Sequence, residues 1–238
     1  MPIKAVLFDM FDTLMLIEKD HEFYLPAVQR MYHYLHSQGV DVPFEKFNAT
    51  YIQERDKLYA KADLKWEEPH FNVRVSKTLK KLGYNYSVSS PLVSAATNEF
   101  CEEFMKYVRM DPHAPNTLKA LHGKYKLGII SNFAIPECVV KLLETAEIDC
   151  LFDVVVISGA VNKRKPCSDI FNSTLKLLGV CADEAVFVGD TIDADVEGSK
   201  AVGMRAVYIE RRIQKAPKFS PDQTIKSLAD LPSALAKV

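Results

Sequence analysis

The 238-residue sequence has no apolar run approaching the roughly 18–20 residues that a membrane-spanning helix needs. Its most apolar windows, such as AVLFDMFDTLML at 5–16, are interrupted by charge. The first residues, MPIKAVLFD, lack the basic region, apolar stretch and small-residue cleavage site of a secretory leader, and a cytoplasmic protein is expected. The five cysteines (Cys101, Cys138, Cys150, Cys167, Cys181) are odd in number, widely spaced and without a CxxC pair. That excludes a recognisable disulfide framework or zinc spacing, and each thiol is expected to be reduced and buried as a small hydrophobe. Neither sign of charge dominates: 30 Lys+Arg stand against 31 Asp+Glu, a net charge of −1. Such a balance has no electrostatic footprint for nucleic acid or an anionic membrane. Nine glycines and twelve prolines are too few for a fibrous or low-complexity chain, and no internal repeat is present. What remains is a globular composition, 48% hydrophobic and 26% charged, with length enough for one or two packed domains.

Short runs rich in Val, Ile and Phe recur at 5–9, 127–131, 154–158, 185–189 and 205–209. Continuous apolar runs of this length suit strands buried on both faces of a parallel sheet. Segments of helical period at 135–146, 168–179 and 192–202 alternate with the later runs, so the fold class is α/β, a Rossmann-like doubly wound sheet. The rhythm breaks between the first run and the second. There, 22–38, 44–62, 70–82 and 91–107 carry apolar residues at three- and four-residue spacings, punctuated by Gly39, Pro43, Pro69, Gly83 and Pro91. We expect a core of residues 1–16 and 110–238 and an inserted helical domain at 17–109, with no buried strand in the insert. The tail is expected to close with a strand-like TIKS and an amphipathic helix. Its basic patch, Arg211, Arg212, Lys215 and Lys218, reads as a solvated loop.

Ligands of a doubly wound sheet sit beyond the carboxyl ends of its strands. The residues just past the apolar runs are Asp9; Ser131 and Asn132; Lys163, Arg164 and Lys165 in SGAVNKRKP; and Asp190, Asp193 and Asp195 in GDTIDAD. Carboxylates beside a lysine suit a hard, oxygen-seeking cation and an anionic substrate.

In order and spacing these residues resemble the haloacid dehalogenase-like hydrolases. Asp9 and Thr13 match the first motif, Ser131 in GIISN the second, Lys165 in KPCSDIF the third, and Asp190 and Asp195 the fourth; the insert is similar to the family's cap domain. The resemblance implies a nucleophilic Asp9 that forms an aspartyl-phosphate. It also implies Mg²⁺ held by Asp9, the backbone carbonyl of Phe11, Asp190 and Asp195. Ser131 and Lys165 would grip phosphoryl oxygens, Thr13 would orient the nucleophile loop, and the amide of Asn132 would donate to the substrate as a helix begins. The implied activity is that of a Mg²⁺-dependent phosphatase on a small phosphorylated metabolite.

One position departs from that pattern. Family phosphatases carry a second Asp two residues after the nucleophile, which protonates the leaving alcohol; here the residue is Phe11. Losing a general acid–base costs about 10²–10⁴-fold. Asp12, one residue on, faces the other way on an extended segment unless a local turn re-aims it. An aromatic residue at position 11 resembles the 2-haloacid dehalogenase branch, whose halide leaves without a proton, yet GDTIDAD keeps the carboxylates of the metal-binding branch. A phosphonate-cleaving route through a Schiff base would need one lysine among Lys19, Lys46, Lys57, Lys61, Lys65, Lys77, Lys80, Lys81 and Lys106, and the sequence singles out none. A non-catalytic module that binds a phosphorylated ligand is a further alternative.

Other features read as structure. His33 and His36 share a helix face without a third ligand. Trp66, beside Glu67 and Glu68, is expected to pack in a core, as is the aromatic series Phe23, Tyr24, Tyr32, Tyr34, Tyr51 and Tyr59. Arg55 and Arg74 are candidate contacts for a substrate anion. The oligomeric state is not legible, since no heptad series is sustained.

Overall fold

The computed structural model describes residues 2–18, 22–211 and 219–238. Strand β1 (Ala5–Phe8) lies at the centre of a six-stranded parallel sheet with β4 (Lys126–Ser131), β5 (Val154–Ile157), β6 (Ala185–Gly189), β7 (Arg205–Ile209) and β8 (Gln223–Ile225). Their spatial order is β5-β4-β1-β6-β7-β8. The chain first builds outward on one side of β1 and then crosses to the other, which makes the carboxyl ends of β1, β4 and β6 the switch point where a crevice opens. Every residue of β1 is fully buried, as the uninterrupted AVLF requires.

Helices α5 (Ala114–Leu121), α6 (Pro136–Thr145), α7 (Ser158–Val161), α8 (Ser168–Leu178), α9 (Gly198–Ala201) and α10 (Leu231–Leu235) accompany the sheet. The predicted helix at 192–202 divides: residues 192–197 form a wide π turn, and only 198–201 are α-helical. Val196 N–H still reaches the Thr191 carbonyl at 3.3 Å, a five-residue step that widens the backbone around Asp195.

The insert is helical where the periodicity placed it: α1 (Tyr24–Ser37), α2 (Phe44–Ala62), α3 (Phe71–Lys81) and α4 (Pro91–Met105). It is entered and left through two strands that the sequence did not announce. β2 (Met15–Ile17) and β3 (Val108–Met110) pair antiparallel, Met15 opposite Met110 and Ile17 opposite Val108. Three half-buried residues are too few to show an alternation. At the sheet end of this ribbon Arg211 donates from Nε to the Asp12 carbonyl (3.1 Å) and from Nη2 to Asp111 Oδ2 (2.5 Å). Arg211 therefore straps the tail to the ribbon and is not a solvated charge; Arg212, Lys215 and Lys218 lie outside the described residues.

Two further expectations are corrected. Cys101 and Cys138 are buried, but Cys150 and Cys181 are exposed and Cys167 is intermediate. Cys181 opens a short 3₁₀ turn as its N-cap, a position that faces solvent. Trp66 is 46% exposed, with positive φ (52°), because it ends a 3₁₀ turn after α2; its ring lies 5.9 Å below the Arg164 guanidinium, outside any core. Tyr32 and Tyr51 do pack in the core, with Phe23, Tyr24, Tyr34 and Tyr59 half-buried around them.

Candidate active site

Asp9 is the first residue beyond β1, and its N–H donates to the Val188 carbonyl of β6 at 2.8 Å, which fixes where the strand ends. The chain then turns tightly: Leu14 and Met15 both donate to the Met10 carbonyl (2.9 and 2.8 Å), and Asp12 adopts positive φ (57°), a conformation that short polar residues tolerate. Thr13 is fully buried within this turn. Ser131 closes β4, and Asp190 follows β6.

The carboxamide of Asn132 reads the backbone of Lys165 in both directions, donating from Nδ2 to its carbonyl (2.9 Å) and accepting from its N–H at Oδ1 (2.8 Å). That clamp holds the loop so that Lys165 Nζ lies 2.6 Å from Asp9 Oδ1 and 2.7 Å from Asp195 Oδ1. Asp195 Oδ2 accepts from Thr191 N–H (2.9 Å), so the wide turn folds back on the carboxylate it carries. Asp9, Asp190 and Asp195 are all buried, and each offers an oxygen within 4.8 Å of the others.

The Lys165 ammonium thus contacts two of three clustered, buried carboxylates. Burial pushes the Asp9 carboxyl up to about 7, the nearby Asp195 charge adds to the rise, and Lys165 opposes it. Burial disfavours the Lys165 charge, but Asp195 and Asp9 outweigh that and hold its pKa above the ordinary value. The hydroxyls of Thr13 and Ser131 are buried without a hydrogen-bond partner. Buried unpaired polar groups are costly in a folded protein and mark places where a ligand oxygen fits.

Several sequence-level candidates land elsewhere. The Asn132 side chain serves the Lys165 loop, and α6 starts only at Pro136, so no helix begins at residue 132. Asp12 is re-aimed by its turn, but away from Asp9: its Oδ1 accepts from Ile17 N–H at 3.1 Å. The Phe11 ring packs against Phe133 (centroids 4.8 Å apart) and Phe104 (5.6 Å), joining the turn after Asp9 to α4. Lys163 Nζ donates to the Lys65 carbonyl at 3.2 Å, and Arg164 pairs with Asp63. Arg55 pairs with Asp56 and hydrogen-bonds Tyr24, half exposed, whereas Arg74 is buried. His36 lies 3.8 Å from Asp41, and His33 stacks beside Tyr32. Of the insert lysines, Lys46, Lys57, Lys61, Lys65, Lys77, Lys80, Lys81 and Lys106 are exposed; Lys19 lies outside the described residues.

Two supporting residues escaped the sequence argument. Ser158, fully buried past β5, accepts from Phe133 N–H at 2.9 Å, and Gly159 N–H donates to the Phe133 carbonyl at 3.1 Å. The signal was the strand-end position itself, overlooked beside the basic run that follows. Gly189 matters through space: a Cβ there would lie 2.3 Å from Asp195 Oδ2. Gly189→Ala is therefore expected to displace that carboxylate and cut turnover by about 10²-fold, the usual penalty for a misplacement near 1 Å. Initial rates beside a melting curve check it; unchanged rates would show that Asp195 tolerates the shift.

A parallel sheet with carboxylates and a lysine gathered at its switch point defines a Rossmann-like α/β protein whose crevice suits a cation and an anion. Residues 3–203 match the haloacid dehalogenase-like hydrolase family, and the chain belongs to it. It is 31% identical over 210 residues to a glyceraldehyde 3-phosphate phosphatase of Pyrococcus abyssi, covering 87% of this chain and 82% of that protein. Among solved structures it is similar to a phosphatase of the same superfamily from Thermococcus onnurineus (27% identity, TM-score 0.66, 99% of each chain). It shares its fold with a 2-haloacid dehalogenase from Pseudomonas syringae pv. Tomato DC3000 (24% identity, TM-score 0.77, 99% of each chain). No helix among the described residues is long and apolar enough to cross a membrane.

Proposed function

We propose that this hydrolase is a Mg²⁺-dependent phosphatase of small phosphorylated metabolites that works through an aspartyl-phosphate on Asp9. The observation that carries this reading is the cluster itself: three buried carboxylates, each with an oxygen within 4.8 Å of the others and two of them on the Lys165 ammonium, suit a divalent cation and an anion together. The donor set is entirely oxygen, the preference of Mg²⁺. Asp9, Asp190, Asp195 and the Phe11 carbonyl would hold it, and when bound it neutralises phosphate charge.

The Asp9 carboxylate oxygen forms a bond to phosphorus as the bond to the leaving oxygen breaks. Lys165 holds phosphoryl oxygens beside Asp9, with the unpaired Thr13 and Ser131 hydroxyls as further donors. Water then attacks the aspartyl-phosphate, releasing inorganic phosphate and restoring the carboxylate. With Phe11 in the acid's position, the leaving alkoxide takes its proton from solvent. Residues 17–109 act as a cap over a core of 1–16 and 110–238, with the β2–β3 ribbon as the joint.

The test is phosphate release from p-nitrophenyl phosphate, whose leaving group needs little protonation, with Mg²⁺ and with EDTA. Turnover that persists in EDTA would overturn the metal-dependent reading. Phe11 favours one competitor, a 2-haloacid dehalogenase, but the carboxylate cluster would repel a carboxylate substrate. Halide release from 2-chloropropionate without phosphate release would establish it.

Phe11→Asp is expected to raise kcat/KM for alkyl phosphates by about 10–10²-fold, reaching no further than the lower limit of the general-acid range because aromatic packing is lost. Aryl phosphates should change little. Equal effects on both leaving groups would place the acid elsewhere.

A further inference from the structure

A cavity of about 170 Å³ lies beside the loop that follows Ser131, bordered by Asn132 and Phe133 on the sheet side and by Phe23, Phe71, Phe100 and Arg74 on the helical side. A space of about 150 Å³ lined by apolar side chains accepts one benzene. This cavity is therefore the size of a single six-membered ring, and its walls are largely aromatic.

Two charged groups interrupt those walls. Arg74 is 4% exposed; its Nη2 donates to Tyr59 Oη at 2.6 Å, and its guanidinium lies over the rings of Phe71 (4.6 Å) and Tyr59 (5.0 Å). Its Nε–H, also buried, has no hydrogen-bond partner. Glu68, at 6% exposure, also lines the cavity; its Oε2 faces Arg164 Nη1 at 3.8 Å, while its buried Oε1 has no partner. A donor and an acceptor are thus unsatisfied in one largely apolar chamber, an arrangement that is costly until a ligand pairs them. Their charges are opposite, so a second anion would meet repulsion from Glu68 along with attraction to Arg74.

We propose that this cavity receives the end of the substrate remote from phosphate, and that Arg74 and Glu68 select an uncharged, ring-sized group presenting a hydrogen-bond acceptor beside a donor. The inference rests on the phosphatase reading for its reaction but not for its binding. A hydroxyl suffices chemically: it accepts from Arg74 Nε and donates to Glu68 Oε1. A pocket built to pair a polar group rejects the analogue lacking it more strongly than an apolar pocket rejects a missing methylene.

The test compares benzyl, 3-hydroxybenzyl and 4-carboxybenzyl phosphate as substrates of the full-length protein. The hydroxybenzyl ester is expected to exceed the benzyl ester in kcat/KM by about tenfold, through KM, and the carboxybenzyl ester to rank last. In Arg74→Met and Glu68→Leu the hydroxybenzyl-to-benzyl ratio falls to about one, whereas Glu68→Gln, which keeps an oxygen acceptor, retains most of it. Independently of turnover, 3-hydroxybenzyl alcohol is expected to raise the melting temperature of the wild type more than benzyl alcohol does. Equal rates for the three esters, preference for the carboxylate, or equal melting shifts for the two alcohols would overturn the proposal. Acetyl phosphate, whose two-carbon acyl group cannot fill a ring-sized cavity, separates the two readings. If the wild type leaves it intact while the alcohols bind as expected, the phosphatase reading fails and the cavity assignment stands.

Discussion

Asp9→Asn is expected to lower p-nitrophenyl phosphate turnover by on the order of 10⁴–10⁶-fold, the scale seen when a covalent nucleophile is removed, and to raise the melting temperature measured in EDTA near neutral to alkaline pH. The two effects have one origin. Burial holds the Asp9 carboxyl up to about 7, against 3.8 for the free group, so the ionised form that the proposed mechanism needs is the form the fold resists. With the folded pKa above the unfolded one, the folded state binds more protons between those values, and stability falls as pH rises through that window. Asparagine has nearly the same shape and no charge to bury. The variant's advantage is therefore expected to be greatest at about pH 8 and to shrink towards about pH 5, where folded wild-type Asp9 is already neutral. For a chain of this size each kcal/mol recovered is worth roughly 2–4 °C. Added Mg²⁺ should narrow the gap, because the wild type retains the carboxylate proposed to bind it. A variant keeping a tenth of wild-type turnover would remove Asp9 from the nucleophile's place. A variant that melts lower than wild type at alkaline pH would show instead that Lys165 more than compensates the buried charge.

The strand ends made this site legible. Continuous apolar runs such as AVLF and AVFVG can only be strands buried on both faces, and in a parallel sheet the residue after each run belongs to the crevice. Asp9, Ser131 and Asp190 are brought to one end of the sheet by that rule, whereas Lys165 lies beyond α7 and reaches it through a clamped loop; the helices of the insert followed from their period. What escaped depends on pairings between distant segments. Asn132 and Lys165 lie 33 residues apart, and nothing local in SNF or KRKP shows that one clamps the backbone of the other. Asp12 and Ile17 meet because Asp12 itself adopts positive φ, which a strict alternation rule cannot foresee. The β2–β3 ribbon is too short to carry a pattern. Trp66 was misplaced because hydrophobicity predicts burial, whereas a 3₁₀ turn left its ring outside, against Arg164. Arg74 was singled out as a candidate anion contact; the chamber around it, with Glu68 as its counter-charge, exists only once the helices of the insert pack together.

Lys165→Met is expected to be the most destabilising substitution in the site as well as an inactivating one. The ammonium contacts two of the three carboxylates and its side chain is 1% exposed. Methionine fills much of the same volume, so the loss is electrostatic. Removing one partner of a buried ion pair costs about 3–5 kcal/mol because the other charge is stranded, which corresponds to a melting temperature lower by roughly 10 °C. The pH dependence identifies the cause. Without the ammonium the Asp9 carboxyl rises further, so the variant is expected to lose stability more steeply than wild type as pH rises, and to approach wild type in mild acid, where the carboxyls protonate. At the alkaline extreme the gap closes again. The folded pKa of Lys165 lies above its unfolded 10.5, so its contribution is complete below that value and disappears as pH passes the folded one. Adding Asp9→Asn to the variant removes one stranded charge, and the double variant should be more stable than Lys165→Met alone, a coupling of the sign expected for interacting neighbours. A stability loss that does not vary with pH and is not relieved in the double variant would make Lys165 a packing residue. A pH-dependent loss, relieved by Asp9→Asn, would place it as the counter-charge that lets this fold keep three carboxylates together out of water.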